Sequence, residues 1–215
     1  MNNIEKKVDL LMIRFPDNCK EEWANQALQS IKNEPINLTI LPGIHEGPLT
    51  QRLEFIKKVQ APYFCWIDDD DQLIEGTVQI CIDELEKEEN INKCGVFTNH
   101  YNMNEDGVII ETPEKYQPRL YSQLNKSHRP FHFLLWKKEV IPYILKYYES
   151  IPDKGDLYSL STLATYFGEW KFIKHYGYKW RNRENSYGKN IENFNGLMDF
   201  CTKHLQEIRK LKMRT

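Results

Sequence analysis

Short apolar runs alternate along the chain with stretches in which apolar residues recur every three or four positions. Val8 to Phe15 is a run of the length of a buried strand, and the "PDN" that follows is a turn and helix-start signal. Trp23, Ala27, Leu28 and Ile31 then repeat at helical spacing. "NLTIL" reads as a second strand ending at Pro42-Gly43, and Leu49 to Val59 as a second helix with Leu53, Ile56 and Val59 inward. Tyr63 to Ile67 is a third strand. Val78, Cys81, Ile82 and Leu85 stand at i, i+3, i+4 and i+7, one face of a third helix whose solvated side is "ELEKEE".

Further on, "CGVFTNHYNMNEDGVIIET" predicts two strands around a turn at Asn104 to Gly107. Phe133 to Tyr148 and Leu157 to Phe167 read as helices, the second ending at Gly168. A last helix carries Phe194, Leu197, Met198, Cys201, Leu205 and Ile208 on one stripe. Strands that alternate with helices predict an α/β fold, a Rossmann-like parallel sheet flanked by helices and extended by antiparallel strands. Such a sheet binds ligands beyond the carboxyl ends of its strands. There the third strand delivers four consecutive aspartates, Asp68 to Asp71.

A length of 215 residues suits one domain, and a net charge of −2 supplies no global pull toward nucleic acid or anionic membrane. No stretch approaches the roughly 20 apolar residues of a transmembrane helix. "MNNIEKKVDLLMIRF" reads as a first strand rather than a signal peptide, so a cytoplasmic location is expected. Cys19, Cys65, Cys81, Cys94 and Cys201 are odd in number and widely spaced, which predicts buried thiols rather than disulfides or a zinc site. The basic end "KHLQEIRKLKMRT" reads as a solvated helix terminus.

In an extended segment Asp68 and Asp70 would project to one side, Asp69 and Asp71 to the other. Two carboxylates on one side can hold Mg²⁺ or Mn²⁺, which would also take phosphate oxygens and offset the charge of a departing diphosphate. A short acidic run is by itself more often a surface loop. Four aspartates abutting a buried strand nevertheless repel one another, so the arrangement is costly without a cation or basic partner.

The segment "RLEFIKKVQAPYFCWIDDDD", Arg52 to Asp71, resembles the family 2 glycosyltransferases of GT-A fold, in which an Arg on a helix and a tyrosine opening the next strand precede "f-l-D-x-D-D". "GDLYSLSTLATYFG" is similar to the family's "E-D" helix segment, with Asp156 at the aspartate and Gly168 at the closing glycine. "YKWRNRENS" resembles its tyrosine- and arginine-rich stretch, and the likeness runs from about Val8 to Ser186. Three positions depart from the pattern: "LPGIHEGP" replaces an acidic turn that contacts the nucleotide, "G-D" replaces "E-D", and Arg183 stands where a histidine is common.

The resemblance implies a single GT-A (nucleotide-diphospho-sugar transferase) domain. Residues 1–100 would form its nucleotide-sugar half, 101–190 its acceptor half, and 191–215 its C-terminal helix. Asp68 and Asp70 would hold Mn²⁺ or Mg²⁺. Arg14, Phe15, Arg52, Asp68, Asp69, Arg181 and Arg183 would face the donor, and Asp71, Trp66 and His132 the acceptor. Asp156 would be the general base of an inverting transfer, although an Asp before an apolar helical run is equally a favoured N-cap. Arg181 and Arg183 read almost as well as a solvated strand or loop. Trp66, Tyr176, Tyr178 and Trp180 could stack on sugar or base, or pack the core, and His45, His128 and His132 are more often surface or packing residues. The expected acceptor is a glycan or lipid-linked saccharide. A hydroxymethylated DNA base is an alternative suggested by the basic, aromatic C-terminal third, and a non-catalytic binding module is a further one. Nucleotidyl transfer lacks its Gly-rich basic loop in "MIRFPDN", and the aspartates lack EF-hand spacing.

Overall fold

The computed structural model describes residues 6–44, 47–111, 133–151, 156–183 and 194–213. Its strands are β1 (Val8–Arg14), β2 (Ile36–Pro42), β3 (Tyr63–Asp68), β4 (Gln72–Leu73), β5 (Lys93–Met103), β6 (Ile109–Glu111), β7 (Leu134–Lys137) and β8 (Glu169–Arg181). Its helices are α1 (Glu21–Ser30), α2 (Pro48–Ile56), α3 (Thr77–Leu85), α4 (Ile141–Lys146), α5 (Asp156–Ala164) and α6 (Phe194–Lys212). The strands form one sheet in the order β2-β1-β3-β7-β5-β8-β4, with β6 paired to β5. β2, β1 and β3 run parallel, as do β5 and β8, and antiparallel β7 joins the two groups.

Alternation along β1 divides the core. Leu11 and Ile13 face one layer, with Phe64, Trp66, Trp136 and residues of α2, α4, α5 and α6. Val8, Leu10 and Met12 face the other, with Cys65, Ile67 and residues of α1 and α3. All five cysteines are buried thiols. Leu197, Cys201 and Ile208 of the expected α6 stripe are buried and Leu205 is half-buried, with Phe200 and His204 buried beside them, while the Phe194 and Met198 side chains lie outside the described residues. The turn between β5 and β6 falls where expected. Asn104 N–H donates to Val108 O at 2.9 Å, and Gly107 takes a left-handed φ of 82°.

The region Phe133 to Tyr148 departs from expectation, being first a strand and only later the short α4. All four residues of β7 are buried, because it lies between β3 and β5 with both faces covered. A run buried on both faces has no alternation, and periodicity cannot separate it from a buried helix. Pro142 then opens α4, where its missing N–H costs nothing. The stretch after Gly168 is the thirteen-residue β8, pairing along β5.

Glu34 links β2 to α3. Its buried carboxylate accepts the backbone N–H groups of Gly76 at 2.6 Å and Val78 at 3.1 Å, supplying the cap that glycine cannot. Beside it, β8 presses on α3 at Gly177, where an added Cβ would fall 2.5 Å from Thr77 Cγ2 and 2.7 Å from Thr98 Oγ1. Gly177→Ala is therefore expected to cost about 1–3 kcal/mol through overpacking. A urea midpoint checks this, and an unchanged midpoint would show that Thr77 and Thr98 yield.

Candidate active site

β3 ends at Asp68, and the backbone turns at once, Asp71 N–H donating to Asp68 O at 3.2 Å. Strand alternation therefore stops at Asp68 and does not continue through the four aspartates. The Asp68 side chain is 41% exposed. Asp69, Asp70 and Asp71 are 3%, 7% and 1% exposed, so this is no solvated acidic loop.

Each carboxylate is met by groups from distant segments. Arg52 Nη2 of α2 donates to Asp68 Oδ1 at 3.0 Å. Asp69 Oδ2 accepts the Phe15 N–H at 2.8 Å and lies 3.6 Å from Arg14 Nε. Arg183 Nε forms an ion pair with Asp70 Oδ2 at 2.7 Å. Asp71 Oδ1 accepts the Arg181 backbone N–H at 2.7 Å, and its carboxyl is hydrogen-bonded to the Tyr178 hydroxyl. That same hydroxyl accepts the Asp68 N–H at 3.4 Å.

Positive partners do not fully offset burial. Desolvation, then the charge of Asp68, pushes the Asp70 carboxyl up to about 7 against the opposing pull of Arg183. Burial raises Asp69 and, more strongly, Asp71, to which the charges of Asp70 and Asp68 add. The Cys19 thiol, donating to Asp69 O at 3.3 Å, is pushed up to about 12 by burial and by Asp69 and Asp70. Among the described residues no group of three or more His, Cys, Asp and Glu side chains is arranged to hold a metal. A cation would draw on two carboxylates and on ligand oxygens. Exposed Asp68 and buried Asp70, which Asp68 drives toward protonation, fit a hard divalent ion of that kind.

Several expected site residues take other positions. Arg181, expected to face the donor, is 1% exposed. Its Nε donates to Asp70 O at 2.7 Å, Nη1 to Glu105 O at 2.7 Å and Asn104 O at 3.3 Å, and Nη2 to Gln26 Oε1 at 2.8 Å, with the guanidinium 4.9 Å from the Trp23 ring. It joins the acidic turn, α1 and the β5–β6 turn. Asp71, expected on the acceptor side, is buried beneath the turn because it anchors the end of β8. Trp66 is likewise in the core, against Trp136 at 4.9 Å, and it supports Arg52 at 5.0 Å from its ring.

Arg14 also pairs with Glu21 at 2.9 Å. The Phe15 ring lies over Gly43, where an added Cβ would come within 2.1 Å of it, so the "LPG" turn leaves room for that ring. Asp156 is the first residue of α5, and its side chain lies outside the described residues, as do His45, His128 and His132. Tyr176 stacks on Tyr101 at 4.5 Å. Gln26 was not legible as part of the site, and Tyr178 was read as a stacking or core aromatic rather than as a hydrogen-bond partner of the aspartates. The Tyr178 hydroxyl reaches Asp68 from β8 and Gln26 of α1 meets Arg181, and no local spacing marks a partner 110 residues away.

Residues 16–145 match the family model for glycosyl transferase family 2. Residues 1–349 of S. aureus TarS, crystallised with UDP-GlcNAc, superpose with a TM-score of 0.64 at 12% identity, over 93% of this chain and 66% of that one. The same protein with UDP gives 0.57 at 11%, over 93% and 72%. A longer TarS structure gives 0.55 at 10%, over 82% of this chain and 37% of that one, so this chain spans little more than a third of it. At such identities the likeness shows the fold, which is GT-A. No curated protein matches the sequence. With its acidic turn at the end of β3 and a family match over more than half its length, the chain belongs to glycosyl transferase family 2.

Proposed function

We propose that this chain transfers a sugar from a nucleotide-diphosphate donor to an acceptor hydroxyl, with Asp68 and Asp70 holding Mn²⁺ or Mg²⁺. The observation that carries this reading is the acidic turn itself, with three of its four aspartates buried yet overloaded with negative charge at the carboxyl end of a central strand. A cation bound there would offset the charge of the leaving diphosphate. Arg52, rigid against Trp66, orients Asp68 toward the donor. Arg14, Phe15 and Asp69 form the wall where the nucleotide would lie, and Arg183 stands at its edge.

Asp156, at the start of α5, would take the proton from the acceptor hydroxyl as it attacks the anomeric carbon, giving inversion. The acceptor would be a glycan or lipid-linked saccharide. A uridine donor is the first choice, since the TarS structures hold UDP-GlcNAc and UDP. Five buried free thiols suit a reducing compartment such as the cytoplasm. No described helix is long and apolar enough to cross a membrane.

A thermal-shift screen of UDP-, GDP-, CMP- and dTDP-sugars, each with and without Mn²⁺, tests the reading. A UDP-sugar at 100 times its Kd should stabilise by about 2.7 kcal/mol, and only with the cation present. Nucleotide release should then depend on acceptor and be lost in Asp156→Asn. No cation-dependent shift with any donor would sink the proposal.

A further inference from the structure

Arg183 follows the last clamped residues of β8. Arg181 is held at five points, and Asn182 N–H donates to Met103 O at 2.8 Å. Beyond them the Arg183 side chain crosses from one loop to another. Its Nη1 donates to Asn18 O in the loop after β1, and its Nε meets Asp70 Oδ2 at 2.7 Å in the acidic turn. These two loops, at the carboxyl ends of adjacent parallel strands, flank the place where a donor's diphosphate would lie. A guanidinium therefore spans the cleft and sits on a carboxylate oxygen that a divalent cation would need.

We propose that Arg183 is a resident counter-cation, a strap that covers Asp70 in the donor-free enzyme and exchanges partners when cation and donor arrive. The cation takes Asp70 Oδ2, and the displaced guanidinium turns to the diphosphate oxygens, which offer the same planar, bidentate geometry as a carboxylate. One arginine thus opposes cation binding in the free enzyme and favours donor binding in the loaded one. It prevents Asp70, only 7% exposed, from standing buried and uncompensated between turnovers. The inference rests on the cation role of Asp70 proposed above and adds a competitor for that role.

The test is a pair of affinities with opposite expected signs. In Arg183→Gln, Mn²⁺ binding to the nucleotide-free protein, followed by the loss of its free-ion electron paramagnetic resonance signal, should tighten about threefold or more as the competing charge goes. UDP-sugar binding in saturating Mn²⁺ should weaken about tenfold, the worth of one charge-assisted hydrogen bond. Arg183→Lys should fall between wild type and Gln in both assays. A merely structural role would weaken both affinities together, and that result overturns the strap. Unchanged Mn²⁺ affinity in Arg183→Gln also overturns it. Asp70→Asn separates the two ideas. If it abolishes Mn²⁺ binding while Arg183→Gln leaves that binding unchanged, the cation site stands and the strap alone fails. If neither wild type nor Arg183→Gln binds Mn²⁺, both fail.

Discussion

Asp70→Asn is expected to abolish cation-dependent donor binding and, at pH 8, to raise rather than lower the melting temperature. Both effects come from one carboxyl. Its value of about 7, against 3.8 for an ordinary aspartate, means that the folded protein keeps a proton which the unfolded chain releases between those pH values. Stability from this group is therefore full at low pH, falls as pH rises from about 4 to about 7, and stays low above that. Asparagine has the same shape and no charge to bury, so the difference between wild-type and variant melting temperatures should grow toward pH 8 and vanish below pH 4. On the proposed cation site, Mn²⁺ would take the place of the proton. It should stabilise the wild type more at pH 8 than at pH 6, and the variant at neither. Transfer should drop by roughly 10²- to 10³-fold, the scale of losing one charge-stabilising contact to the transition state. Scanning calorimetry across pH, with and without Mn²⁺, reads the linkage. Retained Mn²⁺-dependent donor affinity in the variant would remove Asp70 from the site.

Arg181→Leu is expected to be the most damaging single change to stability. Asp70 O, Glu105 O and Gln26 Oε1 lose a charged donor inside the protein, and Asp70 and Asp71 lose the positive charge beneath them. Breaking a buried charge arrangement on one side costs about 3–5 kcal/mol, because the remaining groups stay buried without compensation. At about 2–4 °C per kcal/mol for a chain of this size, the melting temperature should fall by roughly 6–20 °C. Arg181→Lys restores the charge but not the fork that reaches the acidic turn, the β5–β6 turn and α1 together, so it should recover only part. If Arg181 closed over a diphosphate instead, its loss would weaken donor binding and leave the melting temperature unchanged. Thermal denaturation without ligand decides between these roles.

The first three strands, the first three helices and the acidic tip of β3 were legible because each is encoded within a few residues: a run, a 3.6-residue stripe, a cluster of one charge. The same local reading failed at Leu134–Lys137, where burial on both faces erases the alternation that marks a strand. At Arg181 and Arg183 it stopped short for a different reason. "YKWRNR" places two arginines two positions apart, with nothing in the spacing to tell which is the clasp and which lies at the rim. The structure separates them by depth, Arg181 beneath the turn and Arg183 across it. Trp66 was ambiguous in the same way, an aromatic fit for a ligand or for a core, and its neighbours Phe64 and Trp136 place it in the core.

By itself the sequence determined the α/β fold, the family pattern from Arg52 to Asp71, and the location of a cluster of negative charge at the carboxyl end of a strand. These are properties of neighbours along the chain, where periodicity and local charge are complete information. Only the tertiary structure decided how that charge is shared: Asp68 exposed on Arg52, Asp69 on Phe15, Asp70 under Arg183, Asp71 buried on Tyr178 and Arg181. Burial and Coulomb interactions depend on distance in space, and the partners that set them come from β1, α2 and β8, as far as 110 residues from the aspartates they meet.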